Sequence, residues 1–312
     1  MARTLVVGGG GFIGSHLVLK IFESGRKNIR VVGRSAQPRF SLPKGVDYLS
    51  GDISNESFVR SIIQGCDEVI DLAYSTVPKT SFDNPVHDAL ANLPSSVTLI
   101  KVASEFNLKC FVLVSSGGTV YGNAAYLPID EFHLTNPVSP YGITKLAIEK
   151  YALMFNHLNS LPVVIVRPGN PYGPNQLGNL GQGFIASAIF SLLNNKQVNI
   201  FGERGTVRDY IYIDDLTNGL VAALDKGKVG EVYNIGTGIG LDNREVLDAI
   251  VNISDQPRFP LNLVIQPERS FDVAENVLSS VKLTYITGWK PKVSFQTGLK
   301  KTWLWAIQQG RV

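Results

Sequence analysis

The sequence predicts an α/β fold in which helices cover both faces of a doubly wound parallel sheet and a smaller second domain caps it. Two observations support this prediction. In the first half of the 312-residue chain, short apolar runs alternate with stretches whose apolar residues recur at helical spacing. After Arg167 this alternation gives way to a run rich in proline, glycine and asparagine, which is typical of loops. We therefore predict one domain from residues 1–168 and 206–237 and a second from residues 169–205 and 238–312.

Short runs of apolar and β-branched residues predict the strands. These runs are Thr4–Val7, Arg30–Val32, Val46–Leu49, Glu68–Leu72, Cys110–Val114, Val163–Val166, Tyr210–Ile213 and Glu231–Ile235. Apolar residues at helical spacing predict helices over Ile13–Phe22 (ended by Gly25), about Asn92–Phe106 and about Tyr141–Asn156. The segment from Pro168 to Pro174 is predicted to be a loop.

Composition and charge exclude several classes of protein. With 44% hydrophobic and 18% charged residues, the chain can build a buried core and does not have the composition of a disordered protein. A net charge of +3 without a run of basic residues argues against a nucleic-acid binder. No apolar stretch approaches the roughly 20 residues that span a bilayer, and the histidines show no metal-ligand spacing. Two cysteines cannot form a disulfide framework, so we expect a soluble protein of the cytoplasm.

A glycine-rich turn directly follows the first predicted strand and opens the first predicted helix. Gly8, Gly11 and Gly14 are spaced Gly-x-x-Gly-x-x-Gly. Glycine permits positive φ and lets backbone amides approach a pyrophosphate, while the helix N-terminus adds free N–H groups and partial positive charge. The pattern alone is weak. Its position between a strand and a helix predicts the phosphate-binding turn of a Rossmann dinucleotide site.

The second predicted strand ends without the acidic residue that often binds the ribose 2′-hydroxyl of NAD. The residues that follow it are Gly33-Arg34-Ser35. The Arg34 guanidinium can pair with the 2′-phosphate of NADP, or it can lie in solvent or on the adenine. Asp52, after the third strand, can contact the adenine end of the cofactor or be a surface turn residue. The sequence therefore predicts NAD or NADP as cofactor and leaves the choice open.

Tyr141 and Lys145 are four residues apart at the start of a predicted helix, so their side chains share one face. A free tyrosine has a pKa of about 10 and is a poor base at neutral pH. We expect a nearby ammonium and an oxidised nicotinamide to lower the pKa of the Tyr141 phenol. Tyr-x-x-x-Lys is common by chance, but after a dinucleotide turn it predicts a catalytic pair.

Further segments match the patterns of one family along nearly the whole chain. They are Val114–Gly122, Arg167–Pro174, Gly205–Tyr210 with Arg269 and Asp272, Asn234–Gly238, and Gly288–Pro291. With the glycine turn and the Tyr–Lys pair, these motifs resemble the extended short-chain dehydrogenase/reductase family. Within that family they are most similar to the nucleotide-sugar epimerase/dehydratase branch.

The resemblance implies a role for each residue of the site, both within these motifs and outside them. The cofactor contacts it implies are Gly8, Gly11, Phe12, Ile13, Gly14, Arg34, Asp52, Ile53, Leu72, Ala73, Asn92, Ser115, Tyr141, Lys145 and Pro168. The contacts it implies for a nucleotide-diphosphate sugar are Asn170, Arg208, Arg269 and Asp272. It also implies a role in polysaccharide biosynthesis. Finally, it implies a homodimer formed by the helices near Asn92–Phe106 and Tyr141–Asn156, with an apolar stripe that includes Ile148, Ala152 and Phe155.

One segment departs from the family pattern. Gly117 stands where the family usually has the catalytic Ser or Thr, and the next two positions, Gly118 and Thr119, lack the Asp–Glu pair of the dehydratases. Sugar dehydration is therefore disfavoured, because neither residue can do acid–base work near neutral pH. Thr119 shares the strand parity of Gly117, so we expect its hydroxyl to serve the reacting sugar oxygen, with Ser116 second and a bound water third.

Three functions remain open from the sequence. The first is an NAD(P)-dependent nucleotide-sugar epimerase, acting at sugar C4 through a transient keto sugar. The second is an NADPH-dependent keto-sugar reductase, which Gly33-Arg34 favours. The third is a dinucleotide-sensing binding protein with a degenerate site. Retention of both Tyr141 and Lys145 makes the third the weakest.

Overall fold

The computed structural model describes residues 2–178, 183–254, 259–269 and 272–309. Its strands are β1 Thr4–Val7, β2 Ile29–Gly33, β3 Asp47–Ser50, β4 Glu68–Asp71, β5 Cys110–Val114, β6 Val163–Pro168, β7 Asn170–Tyr172, β8 Gln197–Phe201, β9 Val207–Tyr212, β10 Val232–Ile235, β11 Gly240–Leu241, β12 Asn262–Gln266 and β13 Glu275–Asn276. Its helices are α1 Phe12–Glu23, α2 Glu56–Ile63, α3 Pro78–Asp83, α4 Pro85–Ala103, α5 Pro140–Asn159, α6 Phe184–Leu193, α7 Ile213–Lys226, α8 Asn243–Ile253, α9 Val281–Thr287 and α10 Phe295–Gln309. None of these described helices is long and apolar enough to cross a membrane.

Seven strands form one parallel sheet in the order β10-β6-β5-β4-β1-β2-β3. From β1 the chain builds outward to β3, then returns to place β4 on the other side of β1. The strand order therefore reverses between β1 and β4, and ligands of such sheets bind outside the carboxyl ends of the strands at this point. The predicted doubly wound sheet is confirmed.

Both faces of this sheet are buried. Along β1, Leu5 and Val7 contribute to the core shared with α2, α4 and α5, whereas Val6 contributes to the core shared with α1 and α7. All three side chains are at most 2% exposed, and full burial of such a side chain contributes about 1.5–3 kcal/mol. The two cores together position the carboxyl ends of the strands around the cleft.

Smaller sheets lie beside the main one, and they correct two predictions. β9 pairs with β7 and β13 in parallel and with β11 in antiparallel fashion, while β8 pairs with β12. β7 lies inside the segment predicted to be a loop, because Pro171 is tolerated in a short strand at the edge of a sheet. The predicted strand Tyr210–Ile213 belongs to β9 rather than to the main sheet, and Ile213 begins α7, which was not predicted.

Helix α4 begins earlier than the predicted Asn92. The Asn84 side chain accepts a hydrogen bond of 2.9 Å from the His87 N–H and caps the helix, and Pro85 occupies its first turn. This cap lies outside the stretch of periodic apolar residues, so a prediction from the hydrophobic pattern alone placed the start of α4 too late in the sequence.

The predicted dimer stripe on α5 is wrong. Ile148 and Ala152 are 2% and 0% exposed, and they belong to the chain's own core, against which Phe155 also packs. Helical spacing predicted correctly that these residues lie on one buried side of α5. That side packs against the chain's own sheet and not against a second subunit. The exposed apolar residues of α5 are Ile143, Tyr151, Met154 and Leu158.

Candidate active site

A cleft of about 1110 Å³ runs along the carboxyl ends of the central strands and reaches the smaller sheets. Of the residues to which the sequence assigned roles, this cleft is lined by Gly8, Gly11, Phe12, Ile13, Gly14, Arg34, Asp52, Ile53, Leu72, Ala73, Asn92, Ser115, Ser116, Thr119, Tyr141, Lys145, Pro168, Asn170, Arg208, Arg269 and Asp272. The fold therefore brings every predicted site residue to one cavity. What each of them binds stays a prediction.

The glycine turn between β1 and α1 has the shape of a phosphate cradle. Gly8 has a φ of +80°, and a Cβ atom on Gly14 would lie 2.5 Å from the Cα atom of Gly9. No side chain caps the N-terminus of α1, so the N–H groups of its first turn remain available to a ligand. These residues fit the pyrophosphate of a dinucleotide.

At the adenosine end, two guanidinium groups and one carboxylate line the cleft. Arg34 and Arg39 are both exposed. The Ser54 N–H donates a hydrogen bond of 2.9 Å to Asp52, and this bond, supported by the charge of Arg34, lowers the pKa of the Asp52 carboxyl. Positive groups therefore flank the place where an adenosine ribose would lie.

At the other end of the cleft, the side chains of Ser115 and Asn92 differ in whether they already have hydrogen-bond partners within the chain. The Ser115 hydroxyl is buried and has no hydrogen-bond partner among the described residues. The Asn92 amide is engaged within the chain, since it accepts from the Ser75 N–H at 2.7 Å and donates to the Asp88 carbonyl at 2.8 Å. Ser115 is thus available to a cofactor, whereas the side chain of Asn92 fixes the segment after β4.

Tyr141 and Lys145 lie in the first two turns of α5, whose N-terminus is capped by Ser139. The Lys145 Nζ donates to the Val114 carbonyl at 3.0 Å, where β5 ends. Burial lowers the pKa of Lys145 to about 8. Burial, with the nearby charge of Asp88, raises the pKa of the Tyr141 phenol, so the chain alone does not produce the lowering that we predicted.

The turn after β5 decides which hydroxyls face the cleft. Ser116, Gly118 and Thr119 line it, and the Thr119 hydroxyl is buried without a hydrogen-bond partner among the described residues. β5 ends at Val114, so the alternation of a strand does not reach Gly117, and the parity argument for Thr119 does not hold. The buried hydroxyl of Thr119, which has no partner among the described residues, now supports the proposed role of Thr119 instead of the parity argument.

The residues predicted for a diphosphate lie on the side of the smaller sheets. Arg208 on β9 makes no ion pair with the described residues, and burial, with the charge of Arg269 beside it, lowers its pKa. Arg269 and Asp272 pair with each other at 2.7 Å, and the Arg269 guanidinium lies 3.9 Å from the centroid of the Phe201 ring. Arg208 is therefore a half-buried cation whose charge an anionic ligand would balance.

Tyr74 and Gln176 are among the polar residues of the cleft that sequence reasoning missed. The Gln176 Oε1 atom is buried without a hydrogen-bond partner among the described residues, and Tyr74 contacts the catalytic pair. Tyr74 follows β4, and the carboxyl ends of parallel strands meet at one edge. That rule could have placed it at the site.

A parallel sheet with a glycine cradle at its switch point, and a Tyr–Lys pair beside it, define a dinucleotide-dependent enzyme of the extended short-chain dehydrogenase/reductase type. The chain belongs to the NAD dependent epimerase/dehydratase family, whose pattern matches residues 4–236. It is 32% identical to the UDP-glucose 4-epimerase of Mycolicibacterium smegmatis, over 96% of this chain and 97% of that protein. The resemblance inferred from the motifs is confirmed.

Two solved structures are similar over nearly the whole chain. The UDP-glucose 4-epimerase of Thermotoga maritima, solved with UDP-glucose, has a TM-score of 0.92 and 32% identity, covering 98% of this chain and 99% of the other. The UDP-glucose 4-epimerase of Thermus thermophilus, in complex with NAD, has a TM-score of 0.90 and 31% identity, covering 99% of this chain and 100% of the other. These relatives agree with the prediction of an NAD-dependent nucleotide-sugar epimerase.

Proposed function

We propose that this chain is an NAD-dependent nucleotide-sugar epimerase that inverts a sugar hydroxyl, at C4, through a transient keto sugar. One observation carries the proposal: a single cleft joins the glycine cradle, the Tyr141–Lys145 pair and the guanidinium of Arg208, which makes no ion pair with the described residues. The relatives described above support the nucleotide-sugar substrate and the C4 position. The absence of an Asp–Glu pair after Gly117 argues against dehydration.

Each protein group has one task in this reaction. A dinucleotide bound along the glycine cradle would supply the hydride acceptor and donor that interconversion of the sugar alcohol and the keto sugar needs. Tyr141 takes the proton from the C4 hydroxyl and gives it back, and Lys145 holds the cofactor ribose and favours the phenolate electrostatically. Arg208 and Arg269, with Asn170, bind the diphosphate and leave the sugar free to present its other face.

The test of the function combines turnover and binding. We expect purified protein to interconvert a UDP- or dTDP-hexose and its C4 epimer, followed by NMR, and Tyr141→Phe to lower the rate about 10²–10⁴-fold. The fold and dinucleotide content should be unchanged, because the ring still packs. A Tyr141→Phe variant that turns over at the wild-type rate would overturn the mechanism.

A second candidate, an NADPH-dependent keto-sugar reductase, is favoured by the adenosine end of the cleft. Arg34 and Arg39 both line it, and the end of β2 carries no acid that would repel a 2′-phosphate. An epimerase retains one dinucleotide through purification, whereas a reductase exchanges NADPH in each cycle. Dinucleotide content after gel filtration, with net NADPH consumption by keto sugars, separates the two.

The homodimer is part of the same proposal. Helices α4 and α5 pack side by side, and both leave apolar residues exposed: Val86, Ile143, Tyr151, Met154 and Leu158. A second copy would cover this surface by pairing the two helices of each subunit. A cytoplasmic location and a role in supplying sugars for polysaccharide biosynthesis complete the proposal.

A further inference from the structure

Tyr74 touches both members of the catalytic pair. Its ring centroid lies 4.7 Å from that of Tyr141, with the two rings in a T-shaped arrangement. The Lys145 Nζ lies over the same ring, 4.2 Å from its centroid. An ammonium this close to an aromatic face is attracted by the ring quadrupole. Tyr74 therefore contacts the two groups on which proton transfer depends, and no motif assigned it a role.

The far end of Tyr74 reaches a buried carboxylate. Asp88 on α4 is 0% exposed, and it makes no ion pair with the described residues. It is held by hydroxyl groups instead: Thr144 donates to it at 2.7 Å, Thr76 donates to its other oxygen, and the Tyr74 hydroxyl lies 3.5 Å from both oxygens. A buried charge is costly unless it is hydrogen-bonded. These groups supply hydrogen bonds to the Asp88 carboxylate beside the catalytic pair.

We propose that Tyr74 is a positioning residue that fixes Lys145 and Tyr141, and that the buried Asp88 carboxylate holds the Tyr74 ring in place. This inference rests on the proposed function, because it assigns Tyr74 a role in serving that Tyr–Lys pair. The ammonium of Lys145 contacts both the Tyr74 ring and the Val114 carbonyl, and the Tyr74 ring also packs against the ring of Tyr141. Preorganised groups of this kind contribute to rate because they need no rearrangement during the reaction.

The charges around Tyr141 and Lys145 predict how Asp88 affects the pKa values of these two residues. Lys145 is faced by Asp71, Glu149 and Asp88, and Glu149 is neutralised by a two-bond pair with Arg167 at 3.0 and 2.6 Å. Tyr141 is faced by Asp88 and by the neutral phenol of Tyr74. Asp88 thus favours the ammonium and opposes the phenolate. Removing its charge should lower the pKa of Tyr141 and move the acid limb of the kcat profile to lower pH.

The experiment compares Tyr74→Leu, Tyr74→Phe and Asp88→Asn in the dinucleotide-loaded protein, with Tyr285→Leu on α9 as control because Tyr285 is 87% exposed. We expect Tyr74→Leu to lower kcat about 10-fold and to weaken dinucleotide binding by a similar factor, while the KM for the sugar changes little. Tyr74→Phe keeps the ring and should recover most of both losses. Asp88→Asn should move the acid limb of the kcat profile to lower pH. The Tyr141 phenol should also titrate at lower pH in this variant, measured by absorbance difference spectra with Asp88→Asn/Tyr141→Phe as the reference.

Two results would overturn the proposal. One is a Tyr74→Leu variant with the kcat and dinucleotide affinity of Tyr285→Leu. The other is an Asp88→Asn variant in which both the acid limb and the Tyr141 titration stay at their wild-type pH, since a merely structural role would leave them there. If the wild type converts no nucleotide sugar, the proposed function fails separately. The dinucleotide affinity and the phenol titration then still decide the roles of Tyr74 and Asp88.

Discussion

A Cβ atom on Gly117 would lie 2.5 Å from the Cδ1 atom of Leu278, and 2.9 Å from the Arg167 carbonyl oxygen. The Arg167 carbonyl is part of the backbone of β6 and cannot withdraw, and Leu278 is itself fully buried. A side chain at position 117 would therefore point into the packed interior and not into the cleft, which Gly117 does not line. These close contacts with the Arg167 carbonyl and Leu278 favour glycine here, and we propose that another residue supplies the hydroxyl that the family usually places at this position.

Restoring that hydroxyl at position 117 should fail. We expect Gly117→Ser to lower the free energy of unfolding by about 1–3 kcal/mol, because it overpacks the interior, and to leave the turnover rate no higher. Adding Leu278→Ala should recover part of the stability lost, which a double-mutant cycle in urea will measure. A Gly117→Ser variant that is both stable and faster would show that the side chain reaches the cleft.

The Thr119 hydroxyl should carry the role instead. Thr119→Val keeps the shape of the side chain and removes the hydroxyl, so we expect it to slow single-turnover sugar oxidation about 10²–10³-fold. Ser116→Ala is the matched control and should slow it less. The reverse ranking would assign the role to Ser116, and two silent variants would leave it to a bound water or to Tyr141 alone.

Asp71 should make stability fall with pH. Burial raises its pKa from the ordinary 3.8 to about 6, so between these values the folded chain binds more protons than the unfolded chain. The slope of the free energy of unfolding against pH is then negative, and by about pH 7 the charged carboxyl costs roughly 1–3 kcal/mol. Asp71→Asn should be more stable than the wild type by that amount at neutral pH.

Below the ordinary pKa of 3.8 the Asp71 carboxyl is protonated in both states, so the stability difference should vanish there. Urea unfolding of both proteins at several pH values checks this. Asp47→Asn, at an exposed position at the start of β3, is the matched control for the Asp-to-Asn exchange itself. A constant difference between Asp71→Asn and the wild type across the range would contradict the prediction.

The outer face of α4 and α5 should hold two copies together. Met154 and Leu158 are 40% and 66% exposed on that face. We expect Met154→Asp/Leu158→Asp to convert a dimer to a monomer at micromolar concentration, measured by light scattering, because four buried carboxylates in one symmetric interface cannot be paired. Leu304→Asp on α10 is the control and should remain dimeric. A wild type that is monomeric would end the dimer proposal.

Local patterns in the sequence were sufficient for the elements that carry the cofactor turn and the catalytic pair. β1 and β5 were predicted to the residue, since a strand buried on both faces is a continuous apolar run that polar or glycine residues end. The glycine turn followed from its place between strand and helix. Tyr141 and Lys145 share a side of α5 because helical spacing alone puts residues four apart together.

What covers each apolar surface was decided only by the tertiary structure. Periodicity identified the Ile148–Ala152 side of α5 as buried but could not tell the chain's own sheet from a second subunit. The contact between Gly117 and Leu278, and the meeting of Tyr74 with Asp88 and Lys145, join residues that no local pattern relates. They converge because β4 and β5 are neighbours in the parallel sheet and end at the same edge, and strand order is set by the packing of the whole chain.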